Sequence, residues 1–568
     1  MYGLNILDII VIFAFFIMLG GVGVWSYSVV RTTGDYFMAN RRFGKVFMIA
    51  HALGTGTHSD QPVAVAGASY QIGLAGIWYQ WLWMFITPFF WLIAPIYRRL
   101  RFVTTGDFFE VRYGRNMGAL YAVVGLLYFS INTGLMLKGT GTTIEAITLG
   151  QIPTEFVIII LTVLFITYSI LGGLVAAVIT DFIQGIFILI LSFLLIPFAL
   201  NAIGGMREVH NQLPPEMFSF VSTYEVTLFF IVMVMLNGLV GIVVQPHHMA
   251  IGGAGKTEIS CRTGWTYGNF IKRIATLGWA FVGIFAAVLY PGLTAETREF
   301  AFGMAVTNLL PAGLVGLMIA AMAAGVMSTC DAFMVGGSAL FTRNFYQKYY
   351  KKDASDSHYL MVGRISSLLV VIGGVGFAFM IESVVQGIEI LWRLTAFLGI
   401  GFWMAIFWRR ANRYGVWASV IVTLSLTLIT GSEFSWGLGW GVAQQILVYL
   451  PAGFITFIVV SLLTKPEPEH KLNKFYTLLH TPVGEEHKLI EAGITDVLIG
   501  ESVARKVKDK NKSLEEQGHG LLLVDLLSLP KKFNFERYKI DIIGFTAAAI
   551  MILLIFAMGL LSARIGTF

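Results

Sequence analysis

The sequence predicts an all-α polytopic membrane protein with about fourteen transmembrane helices. Three observations carry that expectation. Apolar runs of about 20 residues, each long enough to cross ~30 Å of hydrocarbon, recur along the chain. Only 13% of the 568 residues are charged and 56% are hydrophobic, with a mean hydropathy of +0.75. A soluble chain of this length would need far more polar surface. Finally, lysine and arginine concentrate in alternate connections between the apolar runs.

The first span covers roughly 5–29. Its apolar run, Leu4 to Val24, has no basic leader or cleavage pattern and is read as retained. Ten more spans fall near 46–70, 76–97, 117–148, 155–171, 174–200, 224–251, 272–291, 309–343, 360–381 and 389–409. The last three fall near 414–431, 441–463 and 539–562. The connections VVRTTGDYFMANRRFGK, YRRLRF with RYGRN, KTEISCR with IKR, TRNFYQKYYKK and WRRANR are basic. The alternate connections carry almost no lysine or arginine, so the basic set is expected in the cytosol and both termini outside. This is the pattern of a multi-pass protein of the plasma (inner) membrane. The net charge of +6 belongs to these loops and implies no nucleic-acid partner.

Residues 464–538 form a long polar stretch that parity assigns to the cytosol. Short helices are expected at KFYTLL and HKLIEAG, within a linker lying against the cytosolic face. Cys261 is expected in a cytosolic loop and Cys330 in a span, which gives no disulfide framework.

The second span contains HALGTGTHSDQPVAVAG, residues 51–67. Three glycines, three hydroxyls, two histidines, an aspartate and a proline interrupt an apolar pattern. Irregular backbone at membrane depth survives only where it lines a protected cavity. In secondary transporters such broken helices mark the substrate and ion site. Gly54-Thr55-Gly56-Thr57-His58 is therefore the expected break, with Asp60, Gln61 and Pro62 following. A second interruption is expected at Asn237-Gly238-Leu239-Val240-Gly241, five spans later and just before Gln245-Pro246-His247-His248. Its glycines can equally serve close helix packing.

In MIAAMAAGVMSTCDAF, residues 318–333, Gly325 shares a helical face with Ser328 and Thr329. Hard cations choose oxygen ligands, so two hydroxyls and a glycine carbonyl can form half of a sodium cage. The alternative is that both hydroxyls bond back to the preceding turn. Asp181 and Asp331 are ionisable groups inside spans and hence functional candidates. Lys138, Glu389 and Arg393 also fall within or at the ends of spans.

Several of these stretches resemble the sodium/solute symporters, the family of the sodium/glucose and sodium/proline cotransporters. Gly34-Asp35-Tyr36-Phe37-Met38-Ala39-Asn40-Arg41 resembles its G-D-Y-F-x-A-x-R loop. Gly172-Gly173-Leu174 with Thr180-Asp181-Phe182-Ile183-Gln184 resembles its GG-L…T-D-x-x-Q signature. Leu310-Pro311-Ala312-Gly313-Leu314 through Thr329 resembles its eighth-core-helix motif, and Gln245-Pro246-His247 the Q-P-H of the proline-type branch. The resemblance spans about residues 5–463.

It implies a LeuT-like five-plus-five inverted repeat, with core helices 1–5 in 46–200 and 6–10 in 224–409. Residues 1–29 form an extra N-terminal helix, 410–463 two further helices, and 539–562 a C-terminal helix. It also implies uptake of a small solute coupled to Na+, by a chain whose partners are the solute and the lipid bilayer, with no obligate protein partner. Carried over residue by residue, the sodium site is Gly54, Thr57, Gly325, Ser328 and Thr329. Asp181 and Asp331 would serve a second ion or a proton. The solute would meet Gly56, His58, Asp60, Gln61, Gln80, Asn237 and Gln245. Galactose-transporting members have an asparagine, a Glu-Gln pair and a second-helix glutamate where this chain has Gly56, Asp60-Gln61 and Gln80. Sugars, polyols and related hydroxylated compounds lead as solutes, with amino acids or organic acids as the alternative.

The rival of another class is a transporter-like sensor signalling through 464–538. An enzyme is disfavoured because no HExxH-type spacing occurs. His247 and His248 are adjacent, so on a helix they diverge by about 100° and are poorly placed to share a metal.

Overall fold

A computed structural model describes residues 4–27, 41, 43–431, 437–494, 520–528 and 533–566. Side chains are described for these except at 19, 22–27, 167–185, 188, 250, 328 and 528. The loop motif at 34–40 therefore lies outside the described residues, as do the side chains of Asp181 and Ser328.

The chain is helical throughout its described length, with only an isolated bridge between Phe43 and Gly255. After α1 (Ile6–Tyr27) come two half-helices, α2 (Lys45–Gly56) and α3 (Asp60–Ile72). A short 3-10 segment leads to α4 (Thr87–Leu100), α5 (Thr105–Tyr113) and α6 (Arg115–Ile147). The helical backbone of α7 runs from Thr154 to Ile203, through the Gly172-Gly173 pair where two spans are expected. A second interrupted pair follows, α8 (Leu228–Gly241) and α9 (His248–Gly253), and then α10 (Glu258–Leu289). Next are α11 (Ala301–Leu309), α12 (Leu314–Ala339), α13 (Asp356–Met380) and α14 (Val384–Phe407). The chain ends with α15 (Arg413–Thr430), α16 (Val442–Leu463), α17 (Glu469–His480) and α18 (Phe535–Arg564).

Among the described residues eight helices are long and apolar enough to cross a bilayer, or nine if Leu189–Ile203 and Met206–Gln212, bent by 70°, form one span. Six of the fourteen expected spans are not among the eight: the first, fifth and sixth run into residues whose side chains are not described, and the other three are interrupted. The second, third and seventh are each divided into pieces too short to cross alone.

At the centre α10 packs against α2, α3, α4 and α7, and α6 packs against α13. The start of α10 differs from expectation. It begins at Glu258, so Cys261 lies on a buried helix and Lys272 and Arg273 lie about halfway along it. The polar first half of α10 reads in the sequence as part of a cytosolic loop. That half is covered by protein, which tolerates such residues where lipid would not.

The expected linker is a docked clasp over its described part. Leu472, Phe475, Leu478 and Leu479 of α17 are buried, and Phe475 meets Phe108 of α5 at 5.2 Å. Arg101, at the end of α4, pairs with Glu486 at 2.9 Å and donates to the carbonyls of Thr481 and Pro482. Arg413 pairs with Glu467 at 2.7 Å. Arg99 pairs with Glu258, which also accepts from the backbone N–H of Val483 at 3.1 Å. Arg262 meets Asp541 of α18 at 2.5 Å. The buried charges among these, all but the half-exposed Arg413, are tolerated because each is paired.

At the opposite end, the turn Arg298–Phe300 rests on α3, since a Cβ on Gly67 would stand 3.1 Å from the Arg298 carbonyl oxygen. Glu299 accepts from the N–H groups of Val384 and Val385 and so caps α14. Burial raises its carboxyl above the usual glutamate range, against the pull of those N–H groups, Arg298 and Lys138. A raised value means that the folded state favours the neutral acid. The resulting stabilisation is present in acid and lost as pH rises through the shifted value. Glu299→Gln should therefore match the native protein in thermal stability near pH 4.5 and equal or exceed it at pH 7.5. A variant that loses stability only at pH 7.5 would contradict this sign.

Candidate functional site

The first interruption begins at Thr57, within the expected stretch, and the second lies four residues beyond Gly241. Gly54, Thr55 and Gly56 remain helical, and the chain leaves the helix at Thr57, which is extended at φ −116°, ψ 107°. It re-enters at Asp60, placing Pro62 in the first turn of α3. There a missing N–H costs no hydrogen bond and the fixed φ suits the helix. The second helix likewise continues through Asn237–Gly241 and a 3-10 turn, then breaks at Gln245, which is extended at φ −67°, ψ 120°. Gln245 precedes Pro246, whose ring disfavours helical geometry for its neighbour. Proline positions were thus the better sequence signal, because glycine permits a break but does not force one.

Four of the five expected sodium ligands gather at the first break. The Gly54 carbonyl accepts from the Thr57 N–H at 3.2 Å and from the Thr329 hydroxyl at 3.4 Å. Gly325 faces the break, 4.0 Å from the Ser59 nitrogen as measured from a Cβ built on it. The Thr57 hydroxyl oxygen is buried and has no hydrogen-bond partner among the described residues. Ser328 precedes Thr329 on the same helix, and its side chain lies outside the described residues. Asp331 is buried on α12 and lines none of the cavities described below.

The second feature is a cavity of about 80 Å³ bounded by both breaks, α10 and α14. Gly56, His58, Asp60, Gln61, Gln80 and Gln245 line it. Asn237 does not. Its side chain donates to the Trp392 carbonyl at 2.9 Å and accepts from the Tyr449 hydroxyl at 2.6 Å, holding α8 to α14 and α16. His247 and His248 also line the cavity, with ring centroids 4.1 Å apart. They approach rather than diverge because the Pro246 turn, not a regular helix, sets their directions.

The residues missed from sequence are the cations. Lys272 donates to the Gly56 carbonyl. Arg273 donates to the Gln80 carbonyl at 2.7 Å and to the Asn269 side chain at 3.3 Å. The signal was present in the sequence, since the rule that marks intramembrane aspartates also marks intramembrane lysine and arginine. It was obscured by the late boundary assigned to α10.

Toward the Glu299 end, Tyr79 stacks on Trp392 at 6.0 Å, and both meet Phe230 at 6.4 Å. Beyond them opens a vestibule of about 520 Å³, with Glu225, Arg298 and Glu389 on its wall. The Tyr79 hydroxyl donates to Glu225 at 3.0 Å. An aromatic layer thus separates an open polar vestibule from a buried polar cavity beside two interrupted helices.

A protected polar cavity beside two interrupted helices, separated from an open vestibule by an aromatic layer, is the arrangement of a membrane transporter. The sodium:solute symporter family profile matches residues 36–423, and the chain belongs to that family. It is 25% identical to sodium/glucose cotransporter 1 of Oryctolagus cuniculus over 559 residues, covering 87% of this chain and 84% of the relative. It is also 25% identical to the sodium/glucose cotransporter of Vibrio parahaemolyticus, covering 75% of this chain and 85% of that protein. Its fold is shared with a Na+-coupled sialic acid symporter in a substrate-bound outward-open state (TM-score 0.70, 18% identity), covering 81% of this chain and 99% of that one. The chain is a sodium-coupled symporter by family, not an enzyme.

Close packing positions Asp60. A Cβ on Gly139 of α6 would stand 2.7 Å from the Asp60 Cα. Gly139→Val should push the start of α3 away and cost about 1–3 kcal/mol, the usual penalty for overpacking. Thermal unfolding of the purified protein should show a lower midpoint than native.

Proposed function

We propose that the protein imports a small polar organic solute together with Na+ by alternating access. The observation that supports this most is the convergence of two interrupted helices on one buried polar cavity, with the Gly54 carbonyl and Thr329 hydroxyl in contact beside it. Sodium binds among the carbonyls of Gly54, Thr57 and Gly325 and the hydroxyls of Ser328 and Thr329. In that reading Thr329 turns from its carbonyl partner to the ion. Asp181 and Asp331 serve a second cation or a proton. The solute is hydroxylated, in keeping with the glucose named for both relatives, and meets Gly56, His58, Asp60, Gln61, Gln80 and Gln245.

The helices form a five-plus-five inverted repeat, 46–200 and 224–409, within about fourteen spans. The clasp at 464–494 lies in the cytosol, and the vestibule beyond Tyr79 faces outside. Sodium holds the outward-open state, and solute then binds beneath Tyr79 and Trp392. Joint closure opens the cytosolic side, where low sodium releases both. A ligand shifts such an equilibrium only through its differential affinity, so sodium must bind the outward state more tightly.

Ser328→Ala with Thr329→Ala removes two oxygen ligands. In proteoliposomes the sodium concentration for half-maximal uptake should rise on the order of tenfold or more. Unchanged sodium activation would exclude the assigned site. Asp181→Asn should weaken sodium affinity or coupling while leaving membrane insertion intact, measured as the ratio of sodium to solute flux against the amount of folded protein.

A further inference from the structure

The central cavity carries an unbalanced charge. Lys272 and Arg273 bring two cations to its wall, and Asp60 is the one carboxylate among the residues that line it. Both cations are buried, at 5% and 1% exposure. Neither forms an ion pair among the described residues. Their hydrogen bonds run to the Gly56 and Gln80 carbonyls and to the Asn269 amide. One hydrogen bond leaves two of the three donors on Lys272 unused, and the Arg273 Nε is buried with no partner. Asp60 faces Lys272 and offsets one of the two positive charges; the remaining charge is costly to bury, and an anion bound there recovers that cost.

On the same wall stand acceptors without donors, Asp60 Oδ1, Gln61 Oε1 and Gln80 Oε1. A ligand that supplies an anion to one side and hydroxyl donors to the other satisfies both sets. A neutral sugar serves the acceptors but leaves the cation uncompensated. An amino-acid zwitterion brings no net charge and spends an ammonium on the carboxylate. Sodium entering the neighbouring site adds a further positive charge, which strengthens the demand for an anion.

We infer that the transported solute is a small hydroxylated monocarboxylate, a sugar acid or hydroxy acid, whose carboxylate lies against Lys272 and whose hydroxyls face Asp60, Gln61 and Gln80. This rests on the reading of the cavity as the solute site of a sodium symporter.

The test uses the full chain in proteoliposomes and matched probes that differ in charge. Glucuronate, galacturonate, gluconate and lactate form the acid set, glucose, galactose, sorbitol and glycerol the neutral set, and alanine and serine the zwitterions. With sodium present, at least one acid should raise the unfolding midpoint and accumulate inside the vesicles, while its neutral counterpart does neither. Lys272→Gln should raise the half-saturating concentration of that acid about 10- to 100-fold. Lys272→Arg should restore most of the affinity, which a purely structural role for the ammonium would not predict. The thermal shift of native protein by sodium alone reports that the preparation is intact. Equal or better response to neutral sugars or to amino acids overturns the inference. So does the absence of any response to acids in protein that still responds to sodium. Acid binding that is selective but indifferent to sodium would leave the charge assignment standing and overturn the symport reading instead.

Discussion

A backbone carbonyl or N–H in hydrocarbon has no water to bond, so every departure from the helix inside a membrane must be enclosed by protein. Much of the core arrangement depends on enclosing two such departures, at Thr57–Ser59 and at Gln245–His247. The first is enclosed by α6, α10 and α12, and its freed groups are met by side chains from around the site. The Gly54 carbonyl receives the Thr329 hydroxyl, the Gly56 carbonyl receives Lys272, and the Ser59 hydroxyl donates to the Met136 carbonyl at 3.3 Å. The groups that satisfy the break therefore stand where a cation and a solute can compete for the same atoms. A site of this kind is stable without ligand yet leaves oxygens that an ion can claim.

Close approach makes the enclosure possible. At Gly139 the missing side chain lets α6 reach the Asp60 backbone. At the vestibule end, Glu299 fastens the turn that rests on α3 to the start of α14, which carries Trp392 of the aromatic layer. At the other end, the clasp at 464–494 holds α4 through the Arg101–Glu486 pair, α10 through the Val483 N–H on Glu258, α5 through Phe475 on Phe108, and α15 through the Arg413–Glu467 pair. The two ends differ in kind. One is an aromatic layer over an open vestibule, and the other is a set of buried ion pairs bridging several helices. In the proposed alternating-access cycle, each closure opens while the other holds.

Composition alone made the membrane class legible, since a chain with so few charges has little choice of solvent. The family was legible from short motifs in order, and the oxygen-rich face of Gly325, Ser328 and Thr329 from helical spacing. The position of the breaks was legible only in outline. Glycine clusters pointed to the right spans, but Pro62 and Pro246 decide where helix geometry stops, because they constrain the chain and glycine merely frees it. Asn237 shows the limit of reading polarity as function. A buried amide joining three helices and one facing a ligand have the same sequence signature.

Sequence by itself determined the solvent, the helical class and the residues able to offer oxygens to a cation, because these follow from hydropathy and side-chain chemistry at short range. Tertiary structure decided which polar residues share a cavity, because α10 carries Lys272 and Arg273 beside Asp60 and Gln80 from positions about two hundred residues away. It also decided that 464–494 is a clasp and not a tether, through partners on α4, α10 and α15 that no local pattern names. The electrostatic balance of the site is a sum over distant charges, so it exists only once the helices are packed.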